Sequence, residues 1–225
     1  MSRNSIIFVD LGTIEYESCH KLMLELHQKR VENQIEDTVL LLEHYDVYTL
    51  GKRGREEDVF DRTIPVYRVE RGGEATYHGP GQLVAYFIVS LQELGIGVAD
   101  FVHLVEQAII DVLADFQISG ERVVGKPGVW VDGRKIASVG MAVKNWVTYH
   151  GVALNVNTDL KKFYGIKPCG MEATIMTSMA SIIGRPVDIN KVKKSMVKHV
   201  SKALNKEPAV VEKLNALLTQ PKSGI

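Results

Sequence analysis

One cysteine stands between a proline and a glycine in GIKPCGMEAT, residues 165–174, and its setting raises nucleophilic chemistry. The thiolate is the attacking form, so Cys169 would need a nearby cation or proton acceptor to bring its pKa down from about 8.5. Pro168 and Gly170 interrupt regular backbone pairing, which leaves two readings open: a small loop filler, or a thiol projected into a cleft. Histidine is the usual activating partner, and His78 and His150 are available. So is Lys135, which follows a tight turn in DGRKIASVG at the start of a strand pattern. Its neighbours Ala137, Ser138 and Gly140 are small enough to let backbone approach a substrate carbonyl.

A second feature is RGGEATYHGPGQ, where Gly72, Gly73, Gly79 and Gly81 crowd around Pro80. So many glycines raise the entropy lost on folding, and the chain recovers that loss through positive φ angles or by letting a ligand approach the backbone. The segment lacks the Gly-Lys-Ser/Thr of a phosphate loop and the glycine spacing of a dinucleotide site, so no nucleotide phosphate is expected there. TYHG occurs at residues 76–79 and again at 148–151, each copy placing a histidine beside a glycine near a strand pattern. The other cysteine, Cys19, lies within a helical pattern and reads as buried filler.

The elements that must position these residues follow from periodicity. SIIFVDLG predicts a first strand, and IEYESCHKLMLELHQKRVEN a helix with Leu22, Met23 and Leu26 on its apolar side. DTVLLLEH is a second strand, LGKRGREEDV a polar loop, and IPVYRVE a third strand; the glycine-rich loop then runs into QLVAYFIVSL. GVADFVHLVEQAIIDVLADFQI carries Phe101, Leu104, Val105, Ala108, Ile109, Val112 and Leu113 on one broad stripe, a clear amphipathic helix. Three strand runs follow, separated by turns at Asp132-Gly133 and Lys144-Asn145. After them come a short helical piece at DLKKFYG, the cysteine loop, and one or two helices between Asp188 and Leu218. Strands interleave with helices and the middle is hairpin-connected. The expectation is an α/β (α+β) domain with a mixed, largely antiparallel sheet packed with helices.

The chain has 225 residues, 45% of them hydrophobic, which suits one domain spanning 1–225 with its motifs between about 33 and 215. No apolar run reaches the roughly 20 residues needed to cross a bilayer, and no signal peptide opens the chain, so a soluble, cytoplasmic protein without membrane association is expected. Two distant cysteines make no disulfide framework, and no Cys/His spacing suggests zinc, so no metal is expected. Twenty-seven basic against 27 acidic residues argue against a nucleic-acid binder. From Ile189 onward eight lysines face two glutamates, which reads either as a solvated helical face or as a docking surface for an acidic partner.

RGGEATYHGPGQLVAY, GVWVDGRKIASVGMAV, TYHGVALNVNTDL and IKPCGMEATIMTSM, in this order and spacing, resemble the lipoyl(octanoyl) transferases of lipoate biosynthesis, from about Val39 to Ser181. Phe87 stands where that family usually has proline, and Tyr45-Asp46 replace a common proline-containing pair. The resemblance implies a fold like the catalytic domain of biotin and lipoate protein ligases, with Cys169 as acyl-accepting nucleophile and Lys135 as its partner. It implies a substrate pocket from Arg71, Gly72, Gly73, Glu74, Ala75, Thr76, Tyr77 and His78, from Ser138, Val139 and Gly140, and from Gly151, Val152 and Ala153. The implied reaction moves an octanoyl group from acyl carrier protein, where phosphopantetheine holds it, to a lysine of lipoyl domains or of the glycine-cleavage H protein. No cofactor and no ATP are expected. Backbone N–H groups of Cys169 and Gly170 would serve the oxyanion, and Lys191, Lys194 and Lys198 would dock the acidic carrier. The alternatives are an amidotransferase between lipoyl domains, an ATP-dependent ligase of the same fold, and a non-catalytic acyl-carrier-binding protein.

Overall fold

Consecutive apolar residues build a sheet that buries both of its faces. The computed structural model describes residues 4–168 and 170–211. In chain order the elements are β1 (Ser5–Ile14), α1 (Tyr16–Val31), β2 (Thr38–His44), β3 (Val47–Leu50), β4 (Val66–Arg68), β5 (Ala75–His78), β6 (Gln82–Ile88), α2 (Leu91–Leu94) and α3 (Val98–Asp115). They continue with β7 (Glu121–Val123), β8 (Lys126–Val131), β9 (Arg134–Lys144), β10 (Val147–Asn155), α4 (Met179–Ile183), α5 (Ile189–Leu204) and β11 (Glu207–Val211). The large sheet has the order β11-β1-β2-β6-β10-β9-β8-β7, with β1 parallel to both of its neighbours and the other pairs antiparallel. A small sheet, β4-β3-β5, sits beside it.

Successive side chains of a strand point to opposite faces, and this chain uses both. Ile6, Phe8, Val39, Leu41, Leu83, Ala85 and Phe87 join the core under α3 and α5. Their neighbours Ile7, Val9, Leu40, Leu42, Val84, Tyr86 and Ile88 join the core under α1. The buried side of α1 is Tyr16, Cys19, Met23, Leu26, His27 and Arg30, a spacing of three and four that keeps them on one face. On α3 the predicted stripe is buried except for Leu104, which packs partly exposed against the same core. A third core of Tyr48, Leu50, Tyr77, Phe163, Ile166 and Met176 holds the small sheet. Among the described residues no helix is long and apolar enough to cross a membrane.

Three local expectations are corrected. VYTL and ATYH are strands β3 and β5, each only four residues long, too short for alternation to stand out from the surrounding loops. The second hairpin turns at Asn145-Trp146, both left-handed at φ 52° and 61°, because β9 runs on through Lys144. Beyond Leu204 the chain forms a strand where a helix was expected. Asn205 ends α5 at φ 51°, and Glu207–Val211 then pairs in parallel with β1 as the outermost strand. Pro208 lacks an N–H and suits such an edge. Residues 212–218, the rest of the expected helix, lie outside the described residues.

Candidate active site

A narrow pocket of about 40 Å³ opens over the large sheet on the side of α1. Its walls are the loop Arg71–Gly73, Thr76 and His78 of β5, Ser138–Gly140 of β9 and His150–Ala153 of β10, with Tyr16, Val84 and Tyr86. Arg71 fixes the loop. Its nearly buried guanidinium donates to the Thr49 carbonyl (2.8 Å), Thr49 Oγ1 (2.9 Å), the Glu74 carbonyl (2.9 Å) and the Gly72 carbonyl (3.0 Å). The Gly72 N–H then donates to the Met141 carbonyl (3.0 Å), which ties the loop to β9. Close approach explains the glycines on the strands: a Cβ at Gly140 would lie 3.1 Å from Arg71 Cδ, and one at Gly151 would strike the Ala85 carbonyl.

Apart from the Arg71 guanidinium, the histidines and tyrosines around this pocket are kept neutral. His44 donates from Nδ1 to the Ile14 carbonyl and accepts from the Tyr86 hydroxyl at Nε2, and burial pulls its pKa down to about 4. Burial, then the nearby His44, holds His78 well below the usual histidine range, and its Nδ1–H donates to Gln82 Oε1 (2.7 Å). Burial pushes the Tyr16 and Tyr86 hydroxyls upward, so both stay protonated. Arg71 is the charged wall, already held by four acceptors, and the remaining groups are uncharged among apolar walls, so an apolar ligand can enter without desolvating a free ion.

A wider cleft adjoins the pocket through shared walls at Gly72, Gly73, Val139 and Gly140, and its other walls include Arg53, Glu74, Val98, Val102, Lys126, Lys135 and Met171. Lys135 is 4% exposed, where a lysine after a turn would ordinarily lie in water. Trp130 supports it: Lys135 Nζ lies over the indole, 5.6 Å from the ring centroid. Gly128 makes room for it, since a Cβ there would strike the Ala137 carbonyl and lie 2.7 Å from Lys135 Cε. The Gly128 N–H in turn donates to Glu106 Oε1 (2.8 Å), a carboxylate buried on α3.

The structure brings together most of the expected pocket residues. Within β5 only alternate residues face the pocket: Ala75 and Tyr77 point into the small-sheet core, and Glu74 lines the wider cleft. Cys169 lies outside the described residues. Its neighbours are placed: Pro168 bridges Ala75, Gly170 packs against Glu74, and Met171 lines the cleft with Lys135. The Gly170 N–H, expected to serve an oxyanion, donates to the Lys167 carbonyl (3.3 Å) and so closes a turn instead. Tyr16, Val84 and Tyr86 also line the pocket: Val84 and Tyr86 lie within RGGEATYHGPGQLVAY, whereas nothing local in the sequence marks Tyr16. The lysines of α5 do not border the cleft. Lys198 pairs with Asp115, and from β11 beside that helix to β9 the sheet spans five strand spacings, about 24 Å.

Residues 15–201 match the family model of the lipoyl protein ligase A/B catalytic domain. The octanoyltransferase of Syntrophobacter fumaroxidans is 44% identical over 206 residues, covering 88% of this chain and 90% of that one. The octanoyltransferase of Pelobacter propionicus is 41% identical over 188 residues, covering 84% and 90%. Among solved structures, a putative lipoate protein ligase from T. acidophilum with bound lipoic acid superposes with a TM-score of 0.74 at 14% identity, covering 96% of this chain and 92% of that one; at that identity the likeness is one of fold. With the sequence match spanning most of its length and the fold agreeing, the chain belongs to the lipoyl protein ligase A/B catalytic domain family.

Proposed function

We propose that this protein is an octanoyltransferase of protein lipoylation, carrying the octanoyl group on Cys169 as a thioester with Lys135 as the proton-handling partner. One observation supports it most: a largely apolar pocket meets a cleft that holds a buried lysine, and Gly170, next to Cys169, packs against Glu74 of that cleft. The relatives named octanoyltransferase make octanoyl the acyl group of choice. The donor is octanoyl-acyl carrier protein, and the acceptor is a lysine of a lipoyl domain or of the glycine-cleavage H protein.

In the first step the Cys169 thiolate attacks the donor thioester carbonyl, the C–S bond to phosphopantetheine breaks, and the carrier leaves as a thiol. Lys135 favours the thiolate by taking its proton or by standing beside it as a cation. In the second step the acceptor lysine, deprotonated by neutral Lys135, attacks the acyl-enzyme; an amide forms and the Cys169 thiol is released. Exchange between thioesters is nearly balanced and thioester to amide runs downhill, so the cycle uses no ATP. Chain length is read by burial at about 0.8 kcal/mol per methylene, which gives preference over neighbouring lengths without absolute exclusion.

The test is intact mass after incubation with octanoyl-acyl carrier protein in the absence of ATP. A single octanoyl adduct is expected, absent in Cys169→Ser, and Lys135→Ala should slow transfer by about 10²–10⁴-fold. No adduct, or one that needs ATP and free octanoic acid, would sink the proposal.

A further inference from the structure

The geometry points to a second site, for a divalent transition-metal ion of the zinc class, held by His20 Nε2, His150 Nε2 and Glu70 Oε2. These three atoms all lie within 4.8 Å of one another, and they form the one such group of three or more His, Cys, Asp or Glu side chains among the described residues. Both imidazoles converge on the same carboxylate oxygen, His20 at 3.0 Å and His150 at 3.4 Å. An ion about 2.0–2.1 Å from each ligand would see those separations as angles of roughly 95° and 110°, as zinc with nitrogen and oxygen ligands requires. Imidazole and carboxylate are also ligand types that such an ion accepts.

Each ligand comes from a separate part of the fold. His20 is on α1, Glu70 begins the loop that continues into Arg71 and Gly72, and His150 is inside β10. His150 has φ 59°, a left-handed conformation that non-glycine residues in strands rarely adopt. Strict alternation would turn it away from Tyr149. The left-handed backbone instead lets both face α1, where Tyr149 meets His27 and His150 meets His20. Backbone strain of this kind costs on the order of 1–3 kcal/mol and collects at functional positions. His150 is buried and also walls the pocket, whereas the Glu70 side chain is 46% exposed, leaving a solvent route for an ion. Three protein ligands leave at least one coordination position open. The positive charge of Arg71, adjacent in sequence to Glu70, opposes a second cation and makes the ion exchangeable. Bound, it would cross-link helix, loop and strand around the pocket.

Untagged Cys169→Ser protein, in which the loop cysteine cannot bind the ion, is stripped with chelator and titrated with Co²⁺ and with Zn²⁺. One equivalent of either ion should bind, Co²⁺ should develop visible ligand-field bands that Zn²⁺ abolishes, and Zn²⁺ should raise the melting temperature. His20→Ala and Glu70→Gln should each weaken binding about tenfold or more, a loss that even groups one shell further from a metal produce. His20→Cys should restore it, and His103→Ala, on the exposed side of α3, should leave it unchanged. The metal-free melting temperature of each variant reports its folding separately. Absence of saturable one-to-one binding in the parent protein overturns the site, as does undiminished binding in both His20→Ala and Glu70→Gln.

Discussion

Gly128→Ala tests the way Lys135 is held. Gly128 has φ 120°, where an L side chain is strained, and its Cβ would strike the Ala137 carbonyl. That oxygen is backbone of the neighbouring strand and cannot swing aside. Strain of about 1–3 kcal/mol and overpacking of about 1–3 kcal/mol together give a loss of about 2–6 kcal/mol, against a total stability of about 5–15 kcal/mol. The same Cβ lies 2.7 Å from Lys135 Cε, so the lysine must retreat by about 0.7 Å to reach ordinary contact at 3.4 Å. Displacements near 1 Å cost about 10²-fold in rate where geometry governs reaction. Urea unfolding measures the first effect, and single-turnover transfer from octanoyl-enzyme to acceptor, under conditions where the variant is folded, measures the second. Gly133→Ala is the control: it carries φ 73° two residues before Lys135, yet its Cβ meets nothing within 4 Å. It should lose some stability and keep the transfer rate. If Gly128→Ala kept both wild-type stability and wild-type rate, or if Gly133→Ala lost rate to the same extent, the proposed control of Lys135 by Gly128 would be refuted.

Two further outcomes concern stability. Asp37 is fully buried and accepts from Arg30 Nε (2.8 Å) and the Ser90 N–H (2.9 Å), with Lys206 Nζ at 2.9 Å, so it joins α1, β2 and the start of β11. Asp37→Asn removes the buried carboxylate charge that Arg30, also paired with Glu93 at 2.8 Å, and Lys206 share, and should cost about 3 kcal/mol in urea unfolding; a change below 1 kcal/mol would show that the network is not coupled to folding. His44 is depressed by burial to about 4 in the folded chain, against 6.5 as its ordinary value. The unfolded state therefore takes up its proton first as pH falls, so the stabilisation His44 provides is complete above about 6.5 and is lost between 6.5 and 4. His44→Gln should flatten that part of the stability–pH curve, and an unchanged slope would remove His44 as its source.

Short-range pattern carried much of the fold. Continuous apolar runs in SIIFVDLG, DTVLLLEH and QLVAYFI, and three-to-four spacing in α1 and α3, each reflect a burial requirement written within one element. The glycines of residues 72–81 and the cysteine between proline and glycine were equally legible, because both are departures from regular backbone that a few neighbouring residues reveal. Tertiary structure decided the rest. The edge strand after Asn205 exists because β1 offers it an unpaired side, which the local sequence does not record. The burial of Lys135 depends on Trp130 and Gly128 reaching it across a hairpin. His20, Glu70 and His150 are 50 and 80 residues apart and converge because β10 pairs centrally in the sheet beneath α1. Pairing between distant strands sets such neighbours, and its free energy is spread over whole elements; a side chain's local sequence fixes the element it joins but not the partners it meets there.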